Sequence, residues 1–477
     1  MRSVHALKTG AIGFLVLMVL ALWEAPAATA PKRPIDRVQH VIVIFMENWS
    51  FNGQFGRFPG ANGIANAPPE TIQQLRKDGT PYQALPQPLL NGQPDTRIPA
   101  DLPVKPFDLA PYVPPDQLTN SPVHLFYQEQ YQINSGKMNK FVAWNDAGGD
   151  HGGLVMSYYD VTDMPLGKLA RQYTLCDNFF HSAFGGSWLN HMWLISARTP
   201  YWKDAPPSMR AQLDANGVLI PGTRQDAEVT PDGYAVNTTF SVNEPHPANI
   251  PPERLLPPQT APTIGDRLSE KGVSWAWYSA GWNNAVAGKP DKLFQFHHQP
   301  FVYFARYGAG TPGRSKHLKD EQDFFRALKT RSLPAVSFVK PLGDNNEHPG
   351  YATLASGQQH VADLVKAVQD SPYWKRCAII ITYDEHGGRW DHVPPPVIDR
   401  WGPGLRVPTV IVSPFAKRGF IDSTRYETVS ILKFLATRWN LEPLTDRDRN
   451  ANDLTDAFDL RKNQPPSPKA APGRRKS

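Results

Sequence analysis

Cysteine is scarce: the 477 residues contain only Cys176 and Cys377. Two thiols cannot build the disulfide framework on which small exported domains rely. They could close one bridge, but two buried free thiols are the commoner state of so sparse a pair. Long apolar runs are lacking as well. The longest, Ala11–Trp23 (AIGFLVLMVLALW), has 13 residues, short of the ~20 that span a bilayer. Arg2 and Lys8 precede it and small residues follow to Ala30, the pattern of a secretory signal peptide rather than an anchor. Cleavage is expected after Ala25-Pro26-Ala27, because Pro31 would hinder the alternative site after Ala28-Thr29-Ala30. The expectation is a signal peptide over 1–30, an exported body (periplasmic or extracellular) over 31–461, and no transmembrane anchor after signal removal.

The body also lacks an excess of charge. The chain carries +6 overall, but Arg2, Lys8 and Glu24 leave +1 in the first 30 residues. Lys462, Lys469, Arg474, Arg475 and Lys476 put +5 into residues 462–477. A neutral body argues against a nucleic-acid partner, although the pI is near 9.1. From Gln464 onward the composition is that of a disordered basic tail.

What is abundant is aromatic and turn-forming. A disordered chain could not bury 13 Trp, 16 Tyr and 23 Phe. The 48 prolines and 35 glycines are about 17% of the chain against about 12% in average usage, with no collagen period. Many ordered loops on a core are implied. Short apolar runs at Val41–Phe45, Val273–Tyr278, Ala335–Val339, Ala378–Thr382 and Pro408–Val412 read as strands buried on both faces. Helical patterns lie between them at Ile264–Lys271, Asp323–Lys329, Gln358–Gln369 and Thr428–Trp439. This alternation predicts an α/β fold with a mostly parallel central sheet covered by helices on both faces. The Pro-rich stretches Pro59–Pro122 and Pro200–Pro262 are too long for plain connections. They are expected as insertions walling the site, together with Phe294, Phe296 and Trp188.

Ligands of open α/β sheets bind beyond the carboxyl ends of the strands, and polar residues gather there. The first strand ends in Glu47-Asn48; the strand at 378–382 ends in Asp384-Glu385-His386. The strand at 335–339 is followed by Asp344, Asn345, Asn346, Glu347 and His348. Taken singly, an acid pair after a strand is usually a solvated turn. Three coincident clusters raise a metal site to a serious alternative. Oxygen ligands suit a hard divalent cation such as Mg²⁺, Mn²⁺ or Ca²⁺, and iron and zinc also accept them. Gly185-Gly186 permits a tight turn after which Ser187 suits a helix N-cap, beside free N–H groups that favour a phosphate oxygen. A plain capping serine is the bland alternative. Adjacent His297 and His298, set among aromatics, can meet one ligand.

These pieces, in this order, resemble the bacterial phosphoesterase family that joins phospholipases C with a class of acid phosphatases. The matching segments are His40–Phe51 (HVIVIFMENWSF), Asp177–His191 (DNFFHSAFGGSWLNH), His297-His298, Glu347–Gly350 (EHPG) and Thr382–Pro396 (TYDEHGGRWDHVPPP). The resemblance implies an alkaline-phosphatase-like sandwich and one divalent metal held by Glu47, Asn48, Ser187, Asp384 and Glu385. It implies a substrate phosphate contacted by Asn48, His124, Asn190, His297, His298 and His348, of which His124 rests on the short match Ser121–His124. Ser187 and Leu189-Asn190-His191 are closer to the acid phosphatases than to the phospholipases. The chemistry expected is attack by Ser187 on a phosphate monoester, with His348 or His298 protonating the leaving oxygen.

Alternatives are a phospholipase C acting on phosphatidylcholine headgroups and a non-catalytic phosphate-binding protein. Intact Ser187, Asp384 and Glu385 count against the latter. A sulfatase is disfavoured because Ser187 lacks the Cys/Ser-x-Pro-x-Arg context. His386, Asp391 and His392 read as residues that orient ligands, while His151 and His181 carry no assigned role. Asn48 and Asn237 head glycosylation sequons, though a glycan on Asn48 would block the site.

Overall fold

Unbroken runs of apolar and β-branched residues become the middle of a sheet. The computed structural model describes residues 33–145, 152–220 and 227–461. The expected signal peptide, the basic tail and His151 lie outside them. Eight strands make the main sheet: β1 (His40–Met46), β2 (Thr174–Cys176), β3 (Trp275–Ser279), β4 (Leu318–Lys319), β5 (Val336–Lys340), β6 (Cys377–Tyr383), β7 (Thr409–Val412) and β8 (Phe420–Asp422). Their order is β4-β3-β5-β1-β6-β7-β2-β8. β1 lies parallel between β5 and β6, with Val41 opposite Val336 and Ala378 and Ile44 opposite Val339 and Ile381. Only β7 runs antiparallel to its neighbours. A parallel return needs a crossover, and no helix lies between Tyr383 and Thr409.

The mostly parallel α/β sheet is therefore as expected. All five expected strands are present within two residues at their starts. β2, β4 and β8, two or three residues each, are too short to show a period. The principal helices are α1 (Phe126–Ile133), α2 (Pro165–Gln172), α3 (Ser187–Ser196), α4 (Ile264–Glu270), α5 (Glu321–Thr330), α6 (Leu354–Gln369) and α7 (Thr428–Trp439). α6 packs against both α2 and α5, and α3 against both α4 and α7. Every residue of β3, β5, β6 and β7 is buried, so the sheet is covered on both faces.

Capping explains where helices start. Thr263 with Asp266, Asp320 with Asp323 and Glu427 with Ser430 close capping boxes on α4, α5 and α7. α6 starts at Leu354, four residues before the expected Gln358, on the cap Thr353. It contains Gly357 because a Cβ there would come within 2.2 Å of Glu347 Cγ. Cys176 and Cys377 are free and buried. Among the described residues no helix is long and apolar enough to cross a membrane.

Candidate functional site

Three neighbouring strand ends are laced into one floor. Glu47 N–H donates to Asn346 O (3.0 Å), Trp49 N–H to Glu385 O (3.1 Å) and Asp384 N–H to Met46 O (3.1 Å). Asp384 Oδ1 accepts from the backbone N–H of Asn48 (3.0 Å) and of Glu385 (2.8 Å). Asn48 takes a left-handed φ of 63°, a region that asparagine tolerates better than most residues. Gly387 must be glycine, since a Cβ would stand 2.1 Å from Asn48 O.

The start of α3 brings the hydroxyl. Its N-cap is Gly186, and Ser187 is the first helical residue, not the cap that the spacing suggested. Freed from capping, Ser187 Oγ donates to Glu47 Oε2 (3.0 Å) and lies 3.3 Å from Asn48 Oδ1. Opening onto these atoms is a cavity of about 260 Å³ whose walls include Glu47, Ser187, His124, His297, His348 and Tyr351. His124 Nδ1 donates to Pro122 O (2.7 Å), and Asn48 Nδ2 donates to His124 Nε2 (3.1 Å). His348 Nδ1 donates to Pro349 O (2.7 Å), and Tyr351 lies over its ring at 4.1 Å.

Electrostatics set these groups apart. Burial works to raise Glu47, but the charges of Lys340 and His298 outweigh it and hold the carboxyl well below its usual range. Burial, followed by the charge of Glu47, pushes Asp384 well up. Burial and Asp384 do the same to Glu385. Desolvation brings His124 and His298 down to about 4 and lowers His297 and His348. Asp384 Oδ2 and Glu385 Oε1 are buried without a hydrogen-bond partner.

Some expected residues stand elsewhere. His298 is not on the cavity wall; its Nε2 lies 2.8 Å from Glu47 Oε1, behind the carboxylate. Asn190 is fully buried and its amide braces the turn, donating to Ala183 O (2.9 Å) and accepting from Ala183 N–H (3.0 Å). It does not face the cavity. Phe294 and Phe296 flank the wall residue Gln295 without lining the cavity, whereas Trp188 lines it. Of the two Pro-rich stretches, only the second contributes wall, through Val236, Asn237 and Thr238. Asp391 and His392 do not touch the floor: Asp391 forms a buried bidentate pair with Arg406 (3.0 and 3.1 Å) and His392 bonds Asn52. Both sequon asparagines are buried, and Asn237 is held by Phe126 N–H and Ala227 O.

Sequence reasoning missed Lys340, whose Nζ pairs with Glu47 Oε1 inside the protein. It also missed a role for His191, buried with its Nδ1 on Ser187 O (2.7 Å) and its ring 5.3 Å from that of His298. The group Glu47, His191 and His298 has metal-ligand spacing. The Lys340 ammonium already occupies that side of Glu47, however, and repels a second cation there.

The profile of the Phosphoesterase family matches residues 38–442. The non-hemolytic phospholipase C of Pseudomonas aeruginosa is 23% identical over 512 residues, covering 96% of this chain and 63% of that protein. Phospholipase C B of Mycobacterium tuberculosis is 26% identical, covering 97% of this chain and 85% of the relative. A solved protein of the alkaline phosphatase superfamily from Vibrio parahaemolyticus aligns at TM-score 0.34 and 10% identity, over 72% of this chain and 73% of that one.

Proposed function

Because this chain belongs to the phosphoesterase family and is a hydrolase of phosphoric ester bonds, we propose that it is an exported, metal-dependent phosphomonoesterase of the acid-phosphatase kind, working through a phosphoserine on Ser187. Export is read from the charged start and apolar run of residues 2–23. One observation carries the catalytic reading: the Ser187 hydroxyl, bonded to a strand-end carboxylate at 3.0 Å, shares a cavity with three histidines.

The floor fits a divalent cation. Glu47, Asp384 and Glu385 bring three carboxylates against one ammonium, Lys340. Two of their oxygens are buried without partners, which is costly unless a cation meets them. Glu47, Asn48, Ser187, Asp384 and Glu385 would hold it, an all-oxygen set suited to a hard ion. The bound ion would polarise the phosphoryl oxygen and lower the pKa of the serine hydroxyl.

The chain's own residues do the rest. Glu47 and Asn48 aim Ser187 Oγ at phosphorus. The Ser187 hydroxyl passes its proton to Glu47 Oε2, to which it already donates, as the serine oxygen–phosphorus bond forms and the bond to the ester oxygen breaks. His348, with Nδ1–H tied to Pro349 O, has Nε2 free to give the leaving oxygen its proton and then to take one from the water that releases phosphate. His124 and His297 stand beside the phosphate as further donors, and His298 acts through Glu47. Tyr351 and Trp188 offer flat surfaces to the leaving group.

A second reading, phospholipase C, draws on the names of the relatives. Measuring kcat/KM for aryl and nucleotide monoesters and for phosphatidylcholine micelles, from acid to alkaline pH, separates the two. The proposal expects monoesters to be faster, with an optimum below neutrality. A diester preference with a neutral or alkaline optimum would establish the phospholipase reading instead.

A further inference from the structure

A second cluster lies on the far side of Glu385 and has no part in the chemistry above. Glu129 of α1, His181 before the nucleophile turn and His386 after β6 are each fully buried. Their ligand atoms lie within 4.8 Å of one another. Glu129 Oε1 stands 3.0 Å from His181 Nε2 and 3.6 Å from His386 Nδ1.

Hydrogen bonding makes this arrangement incomplete as it stands. His181 Nδ1 lies 2.8 Å from Ala183 O. A carbonyl only accepts, so Nδ1 bears the proton and the neutral ring presents a lone pair at Nε2. That lone pair faces a carboxylate oxygen. A proton on Nε2 would resolve this contact alone, because both nitrogens of His386 are also buried without a hydrogen-bond partner. Its nearest carboxylate oxygens, at 3.6 Å on Glu129 and 3.4 Å on Glu385, are too distant. One cation among the three residues satisfies them together.

The dimensions suit it. Ligands bound tetrahedrally at about 2.0–2.1 Å stand about 3.4 Å apart, between the two separations observed. Backbone closes the pocket from one side: a Cβ on Gly404 would approach His181 Nε2 to 2.4 Å and Glu129 Oε1 to 2.5 Å. Among the described residues the ion-pair contacts of Glu129 are to these two histidines, with no lysine or arginine paired to it, so no fixed cation competes for it.

We propose that Glu129, His181 and His386 form a second, structural metal site that takes a divalent transition ion, zinc foremost. Two nitrogens and one carboxylate oxygen favour that class over Mg²⁺ or Ca²⁺. The ion would tie three sequence-distant segments together in a chain whose two cysteines are free. It would also brace the nucleophile turn, because Glu129 Oε2 accepts from Gly185 N–H at 2.5 Å. With all three ligands buried, the ion enters during folding and leaves only on unfolding.

The site is tested by metal analysis of protein refolded with Zn²⁺ and then dialysed against EDTA. The expected result is one zinc per folded chain that survives dialysis and is released to a chromogenic chelator in guanidinium. Protein refolded with Co²⁺ should show a visible absorption distinct from that of the hydrated ion, and it should persist through EDTA dialysis. Glu129→Gln and His181→Gln should lose this equivalent, and Asp384→Asn should keep it, so failure of this site is distinguishable from failure of the oxygen-rich one. Should the buried variants not fold, the wild-type zinc count decides. Folded wild type with no EDTA-resistant transition metal, or with the same zinc in a folded Glu129→Gln variant, overturns the proposal.

Discussion

Ser187 Oγ donates a 3.0 Å hydrogen bond to Glu47 Oε2, joining the first residue of a helix to the end of the central strand. The bond fixes one hydroxyl rotamer over the strand ends, and the helix owes its cap to Gly186 instead. Ser187→Ala should therefore cost only about 1 kcal/mol of stability, one hydrogen bond. It should lower turnover at least about a thousand-fold. Thermal melts check the first, and acid-quenched labelling with a radioactive phosphate ester checks the second. Label on any residue other than Ser187 in wild type would refute the assignment.

Asp384→Asn removes one charge from a floor where three carboxylates face a single lysine. Weaker binding of the divalent ion and near-complete loss of turnover are expected, since each charged ligand contributes strongly to affinity. Elemental analysis beside activity measures both. Full activity in a metal-free preparation contradicts the whole site.

Burial lowers the pKa of His348, so its proton-donating form accumulates only on the acid side. Turnover of phenyl phosphate, whose leaving oxygen needs a proton, should rise as pH falls below neutrality. That of p-nitrophenyl phosphate should change less. His348→Gln should flatten the first profile and lower its acid limb about 10²–10⁴-fold. Identical profiles for the two esters would remove His348 from the acid role.

Glu347 is a buried acid with a left-handed φ of 71°. Burial raises its pKa to about 8, against the lowering effect of hydrogen bonds from Tyr383 (2.8 Å) and Gln54 (2.7 Å). An acid with a raised folded pKa is stabilising when protonated. Its contribution is complete below the unfolded value near 4.5 and is lost as pH rises toward about 8, by about 1.4 kcal/mol per unit. Glu347→Gln cannot ionise and keeps an acceptor for both donors. Its Tm should exceed that of wild type increasingly from pH 5 to pH 8. Parallel Tm curves for the two proteins would show that Glu347 is not the titrating group.

The sheet was legible because its strands are contiguous apolar runs. Val41–Met46 and Cys377–Tyr383 are buried throughout, and that pattern needs no knowledge of neighbours. The acids that follow them were legible for the same reason: a polar pair after a buried strand must emerge at the sheet's rim. Helix starts were less so, since Ser187 and Gly186 compete for one cap and a shift of one residue turns a capping hydroxyl into a free one.

Sequence by itself thus determined the α/β class, the family resemblance and which residues stand at the strand ends. Tertiary structure alone decided which charges meet. Lys340 carries no signal of its partner in the sequence, and only the pairing of β5 beside β1 sets it against Glu47. His298 and His297 are adjacent in sequence, yet one faces the cavity and the other Glu47. Asn190 follows Ser187 by three residues, but its rotamer turns back to Ala183. Glu129, His181 and His386 are separated by 52 and 205 residues and meet only in the folded chain. The physical reason is common to all of them. A contiguous apolar run is satisfied by any core that covers it, whereas a buried charge needs a particular partner atom, and that partner comes from a distant segment.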